Sequence, residues 1–296
     1  MPYNPNMFLR KRFLLNRLQA LMLVAAGLSS APVHGDFPPL TTEISAEHPL
    51  FLFQDFRGAN NTPAAYAAQL VTAWSGLYDG LRPYSALRLD NGNGDAVSQH
   101  QYYMDLLLPL QEANVPVTVR VANGDARPWY NPDRLGELLG TYTNIRGVEV
   151  AGLQFNDYGP AKGREAELPG HVSWLIEIID VAARYGRFVY LPLDDIHWLR
   201  LMSNDNSAPL YRKLLQCRGY VIPASVQRGH GVIAQNSALM GLWLEEAVAF
   251  WGVAADGDWY PESGFIAPGV FGRTRDRFYH PGHPFRAMVY NGAMTG

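Results

Sequence analysis

The stretch Gly147-Val-Glu-Val-Ala-Gly-Leu-Gln-Phe-Asn-Asp-Tyr158 begins as a β-rich apolar run. It stops in a polar cluster, Gln154, Asn156, Asp157 and Tyr158, before Gly159-Pro160, which must turn. A parallel strand covered on both faces reads this way when it delivers side chains to one end of a sheet. Other segments share the shape, a short apolar run that stops at Asp or Asn. Polar groups gathered at the C-terminal ends of strands point to a barrel or an open-sheet active site.

Working outward in both directions, strand candidates start near residues 50, 84, 116, 148, 188, 220, 238 and 285. Helices are expected over 63–77, 100–113, 132–142, 170–185 and 208–217, from apolar stripes at helical spacing and from Pro at their starts. The run 238–243 is read as a strand because it is short and apolar, and 285–290 as the eighth. Eight strands alternating with helices are an α/β chain folded as a (β/α)8 TIM barrel. The chain stops at Gly296, soon after the eighth strand, leaving little or nothing for a closing helix, as a barrel incomplete at its C-terminus would. A doubly wound sheet lacks support, since no Gly-rich phosphate loop follows the first strand.

Residues 1–35 read as a secretory signal and leader rather than as fold. Arg10, Lys11 and Arg12 precede an apolar run over 18–28, and small residues follow at Ser29, Ser30 and Ala31. A secreted or periplasmic protein is expected, free of the membrane once the leader is cleaved. Residues 36–296 then suit a single barrel, which needs about 250 residues. The net charge of −3, with no basic block after the leader, argues against a nucleic-acid partner. The lone cysteine, Cys217, rules out a disulfide framework. No His-x-His or His-Glu-x-x-His spacing occurs, so neither a metal nor another cofactor is expected. Asp90-Asn-Gly-Asn-Gly-Asp95 lacks the closing Glu of a calcium loop and reads as a plain turn.

In a barrel the strand-end polar groups share one rim: Gln54, Asp55, Asp90, Asn123, Asp125, Asn156, Asp157, Asp194, Asp195, Glu245 and Glu246. Two carboxylates flanking a glycosidic bond are the minimum for its hydrolysis, one donating a proton and one acting as base or nucleophile. Asp194-Asp195 is the best pair, because adjacent acids after a buried strand repel unless something uses them. Asn156, Tyr158, Asp90 and Glu245 are candidate substrate contacts, and Trp129, Trp198, Trp243 and Trp259 are candidates for stacking on sugar rings. Buried core packing is the commoner use of such aromatics.

Several segments resemble the catalytic barrel of glycoside hydrolase family 98, the secreted endo-β-galactosidases that act on blood-group-type glycans. They are 84–89, 113–117, 147–158, 183–188, Gly241-Leu-Trp-Leu244 with Phe250-Trp-Gly252, and 287–296, in the same order as in the family. The resemblance implies an inverting hydrolase acting on a galactose-containing oligosaccharide. It also implies a Glu acid after the fourth strand, in an Asn-x-Glu-Asn-Tyr-like run, and an Asp and a Glu that hold the attacking water. This chain departs from that pattern. Gln154-Phe-Asn-Asp-Tyr158 puts Asn156 where the Glu belongs, and the water-holding positions fall near Ala249 and Val289. An amide cannot act as the acid, so Asp157 would have to stand in by a bulge or turn. The alternative is a catalytically inactive glycan-binding barrel that has lost the family acids.

Overall fold

The computed structural model describes residues 37–45, 47–54, 62–89, 96–123, 129–153, 165–193, 198, 207–226 and 232–254. Seven strands, β1 (Phe51–Gln54), β2 (Ser85–Leu89), β3 (Val117–Asn123), β4 (Ile145–Ala151), β5 (Phe188–Leu193), β6 (Val221–Val226) and β7 (Gly252–Ala254), form one sheet in strictly sequential order. Every neighbouring pair is parallel. The intervening helices are α1 (Pro63–Ser75), α2 (Ala96–Glu112), α3 (Pro132–Thr141), α4 (Leu168–Arg184), α5 (Ala208–Gln216) and α6 (Val232–Leu244). A doubly wound sheet reverses its strand order part-way, and this one never does. The fold is TIM-barrel-like α/β, incomplete among the described residues. The eighth strand expected at 285–290 and the leader lie outside them.

Local chemistry explains where helices begin. Thr62 accepts the Ala65 N–H at 3.3 Å, and Asn131 Oδ1 accepts those of Asp133 and Arg134 at 2.8 and 3.2 Å. In both cases Pro occupies the first helical turn, where its missing N–H costs nothing. Leu135, Leu138 and Leu139 of α3, and Leu175, Ile178 and Ile179 of α4, then bury one helical face.

The strands use their alternation to separate two interiors. One set, including Leu87, Leu89, Val117, Val119, Val148, Val150, Val189, Leu191 and Val221, packs against the helices in the main core. The other face carries a second cluster of Phe188, Tyr190, Ile222 and Ala224, against which Leu40, Ile44, Leu50 and Leu52 pack. The segment before β1 is thus held at the end of the inner face where the strands begin. Thr41 N–H donates to Gly186 O at 2.9 Å and Tyr220 Oη to Pro38 O at 2.5 Å, both at turns entering strands. Gly186 has φ +64°, and a Cβ there would lie 2.6 Å from Pro39 O, so this junction requires glycine.

One expected strand is corrected. Residues 238–243 belong to α6, which buries Gln235, Leu239 and Leu242 at helical spacing. Short apolar runs do not distinguish strand from buried helix, and this one contains no β-branched residue. The strand that follows β6 is instead the three-residue β7.

Candidate active site

Beneath the ends of the central strands lies a polar layer on the inner face. In register, Arg120 of β3 sits beside Glu149 of β4, and Glu149 beside Tyr190 of β5. Glu149 is fully buried. Its Oε2 accepts the Nε–H of Arg88 at 2.8 Å, its Oε1 accepts an Nη2–H of Arg88, and Oε1 also accepts Arg120 Nε–H at 3.1 Å. The Arg88 guanidinium lies 5.6 Å from the centroid of the Tyr190 ring. Burial alone would raise the Glu149 carboxyl, but the Arg88 hydrogen bonds and the charges of Arg120 and Arg88 outweigh it and hold it below the usual range. Burial pushes the Tyr190 phenol up to about 12, partly offset by Arg88.

The chemistry available to this layer is therefore narrow. An ionised carboxylate is an acceptor only, so Glu149 is no general acid at neutral pH. The layer is a buried charged floor on the inner face, and in barrels of this kind the reacting groups come from the loops at the C-terminal ends of the strands. It was not singled out from sequence, although the pattern was visible. Leu87-Arg88-Leu89, Val119-Arg120-Val121 and Val148-Glu149-Val150 each set one charge between two apolar residues of a strand, with signs that can pair.

Directly after these strands come most of the residues expected to act. Asp90 follows Leu89, the last residue of β2, and Asp194-Asp195 follow Leu193, the last of β5. Asn156, Asp157 and Tyr158 follow β4 by a few residues. Asp55, Asp90, Asp125, Asn156, Asp157, Tyr158, Asp194, Asp195 and Trp259 themselves lie outside the described residues. Gln54 and Asn123 end β1 and β3.

Three expectations are corrected. Trp198 is wholly buried: its indole N–H donates to Ala224 O at 3.0 Å and its backbone N–H to Gln235 Oε1 at 2.7 Å, so no ring face is left for a sugar. Trp243 and Glu245 were expected at a strand end on the rim, but 238–243 is helix, and a helix between parallel strands runs back toward the strand starts. Accordingly Glu246 pairs with Arg218 at 2.9 Å and Ala249 N–H donates to Arg218 O at 2.8 Å, just before β6. Trp243 is half exposed on the outer layer of this opposite end.

Trp129 lies on the correct side, in the loop from β3 to α3, but is only 9% exposed. Its ring centroid is 4.3 Å from that of His171 and 4.6 Å from that of Trp174, whose Nε1–H donates to Tyr130 O at 3.0 Å. These contacts fasten the loop to α4. Among the described residues, no His, Cys, Asp and Glu side chains gather in threes as metal ligands would. No described helix is long and apolar enough to cross a membrane.

The sequence model of glycosyl hydrolase family 98 matches residues 39–290, which span the whole described sheet. The chain belongs to glycosyl hydrolase family 98. Solved structures agree on the fold: the native catalytic module of a family 98 glycoside hydrolase from Streptococcus pneumoniae TIGR4 superimposes with a TM-score of 0.58 at 20% identity. The same module in complex with the LewisY pentasaccharide blood group antigen gives 0.57 at 20%. Its complex with the H-disaccharide blood group antigen gives 0.57 at 19%. Each match covers 73% of this chain but 39% of the pneumococcal one, so this chain spans well under half of that module. Among curated protein sequences nothing matches. In this member of family 98, Arg88 of β2, Arg120 of β3 and Glu149 of β4 form a charged layer on the inner face of the described sheet.

Proposed function

We propose that this family 98 chain is an exported glycoside hydrolase that cleaves a galactose-containing glycan with inversion, using carboxylates as acid and base. The observation that carries the reading is the adjacency of β4 and β5, paired Gly147 to Phe188, Val148 to Val189 and Glu149 to Tyr190. In sequence, Asp157 and the Asp194-Asp195 pair thus come after the ends of two neighbouring strands. Asp157 is the proton donor in this proposal, and Asp194 or Asp195 activates water, a separation of about 6.5–9.5 Å being what inversion uses. Asn156, Tyr158 and Asp90 contact the glycan. The leader over residues 1–35 supports export.

Blood-group oligosaccharides bound to the pneumococcal module make the LewisY pentasaccharide a reasonable first substrate. The test is its cleavage by the intact chain, followed by NMR of the newly released anomeric centre. Asp157→Ala should abolish cleavage while the protein stays folded, and so should Asp195→Ala if Asp195 rather than Asp194 activates the water. Cleavage that survives both replacements would sink the assignment. A second reading, a glycan-binding barrel without catalysis, is favoured by Asn156 at the position of the family acid. Under it the unaltered protein binds the pentasaccharide and releases no product.

A further inference from the structure

Arg187 stands between Gly186 and Phe188, at the entrance to β5, and only 6% of it is exposed. Its Nη1–H donates to Thr41 Oγ1, and that hydroxyl donates in turn to Gly186 O at 3.1 Å. The Nε–H of the same guanidinium is buried and meets no acceptor. Arg146 lies alongside. Gly147 and Phe188 are paired, so the residues before them, Arg146 and Arg187, are neighbours at the starts of β4 and β5. Burial, and then the like charge of Arg146, pushes the Arg187 guanidinium below its usual range. Among the described residues neither arginine has a carboxylate partner, and the Thr42 hydroxyl, one residue beyond Thr41, is also buried without a partner.

Two positive charges side by side, one of them almost wholly buried, are costly unless an anion meets them. We infer that Arg187 and Arg146 form a binding site for a small doubly charged oxyanion, inorganic sulfate or phosphate, at the strand-start end of the sheet. The guanidinium selects the class of ligand. With Nη1 committed to Thr41, the remaining edge is Nε–H and Nη2–H, two parallel donors that match two oxygens of one oxyanion. The second cation, Arg146, favours two negative charges over one. Because Nε is covered, the site takes a small free ion rather than a sulfate or phosphate ester carried on a glycan. Thr41 belongs to the segment before β1, so an anion held here ties that segment to the starts of β4 and β5. The site lies at the opposite end of the strands from the loops proposed for hydrolysis and does not depend on that reading.

The full chain, dialysed into chloride buffer at pH 7, is titrated calorimetrically with sodium sulfate and with sodium phosphate at fixed ionic strength. Heat of binding is the readout because sulfate and phosphate raise melting temperatures of most proteins by exclusion from their surfaces. A single saturable site is expected for each ion, with the two competing for it. Arg187→Leu should weaken binding by at least about tenfold, the loss of charge-assisted hydrogen bonds. Arg187→Lys keeps the charge without the fork and should fall between the two. Arg146→Gln should weaken binding about threefold, as removal of one nearby charge at a partly exposed position does. Its side chain makes no hydrogen bond or ion pair among the described residues, so this variant decides the matter if Arg187→Leu does not fold. Arg82→Gln, which removes a charge already paired with Asp79 at 3.1 Å, should leave the affinity unchanged. Absence of saturable binding, or an affinity that neither Arg187→Leu nor Arg146→Gln lowers, overturns the inference. A loss in Arg82→Gln as large as in Arg146→Gln overturns it as well, since attraction to net charge alone would then suffice. Galactose sulfate that binds as tightly as inorganic sulfate would overturn the assignment to a free ion.

Discussion

Arg88 of β2 reaches across β3 to Glu149 of β4, its Nε–H donating to Glu149 Oε2 at 2.8 Å. The contact joins strands that share no backbone hydrogen bond; alternate strands lie roughly 9.5 Å apart, a gap that the Arg and Glu side chains span together across β3. Arg120 of the intervening strand completes the bridge through Glu149 Oε1. Neither Glu149 nor Arg120 has appreciable solvent exposure.

Removing the carboxylate should therefore be costly. Glu149→Ala leaves two guanidinium groups facing each other with their common acceptor gone, a loss of about 3–5 kcal/mol. Urea unfolding at neutral pH measures it. A loss under 1 kcal/mol would mean that the cations find equivalent acceptors elsewhere.

The same carboxyl sets an acid limit on stability. Because Glu149 is held below the usual range in the folded protein, its contribution is fully present above the unfolded value of about 4.3. It is lost as pH falls from there through the lower folded value. Unfolding midpoints taken from pH 7 down to pH 3 should fall less steeply in Glu149→Gln than in the unaltered protein. Parallel curves would show that other carboxylates govern the acid limb.

Gly147 and Phe188 face each other across β4 and β5. A Cβ at 147 would lie 2.2 Å from the Phe188 ring, so Gly147→Ala must displace that ring from the inner-face cluster. Overpacking of this kind costs about 1–3 kcal/mol. Combining it with Phe188→Leu should cost less than the sum of the two single changes, a coupling that a double-mutant cycle reads directly.

Cys217 is buried, and burial pushes its thiol up to about 11. A thiol kept protonated and covered does not attack disulfide reagents. At pH 8 it should react with an aromatic disulfide only at the rate of unfolding, and at once in denaturant. Rapid labelling of the native protein would place Cys217 in an opening region.

Much of the architecture could be read directly from the residues. The strand expected near 188 starts there, and those expected near 50, 84, 116, 148 and 220 start within a few residues of those positions. Buried parallel strands are continuous apolar runs flanked by Pro, Gly and Asp, and that pattern is local. The run 238–243 misled because its Ala, Leu, Met and Trp carry no signal separating a strand from a buried helix until something shows which faces are covered. β7 is three residues long, too short for any pattern.

The site divides along the same line. Alternating strands and helices in sequential order, the polar residues directly after β2 and β5, and membership of a family with carbohydrate-cleaving relatives all follow from the order of residues, because each depends on neighbours in the chain. Which tryptophans are covered, which end of the fold Glu245 occupies, and that Arg88, Arg120 and Glu149 meet all depend on groups separated by tens of residues. The same holds for Gln235, which bonds Leu193 O and Trp198 N–H. Such contacts form only when the strands pair and the helices dock, since the electrostatic and hydrogen-bonding energies that define them act through space rather than along the chain.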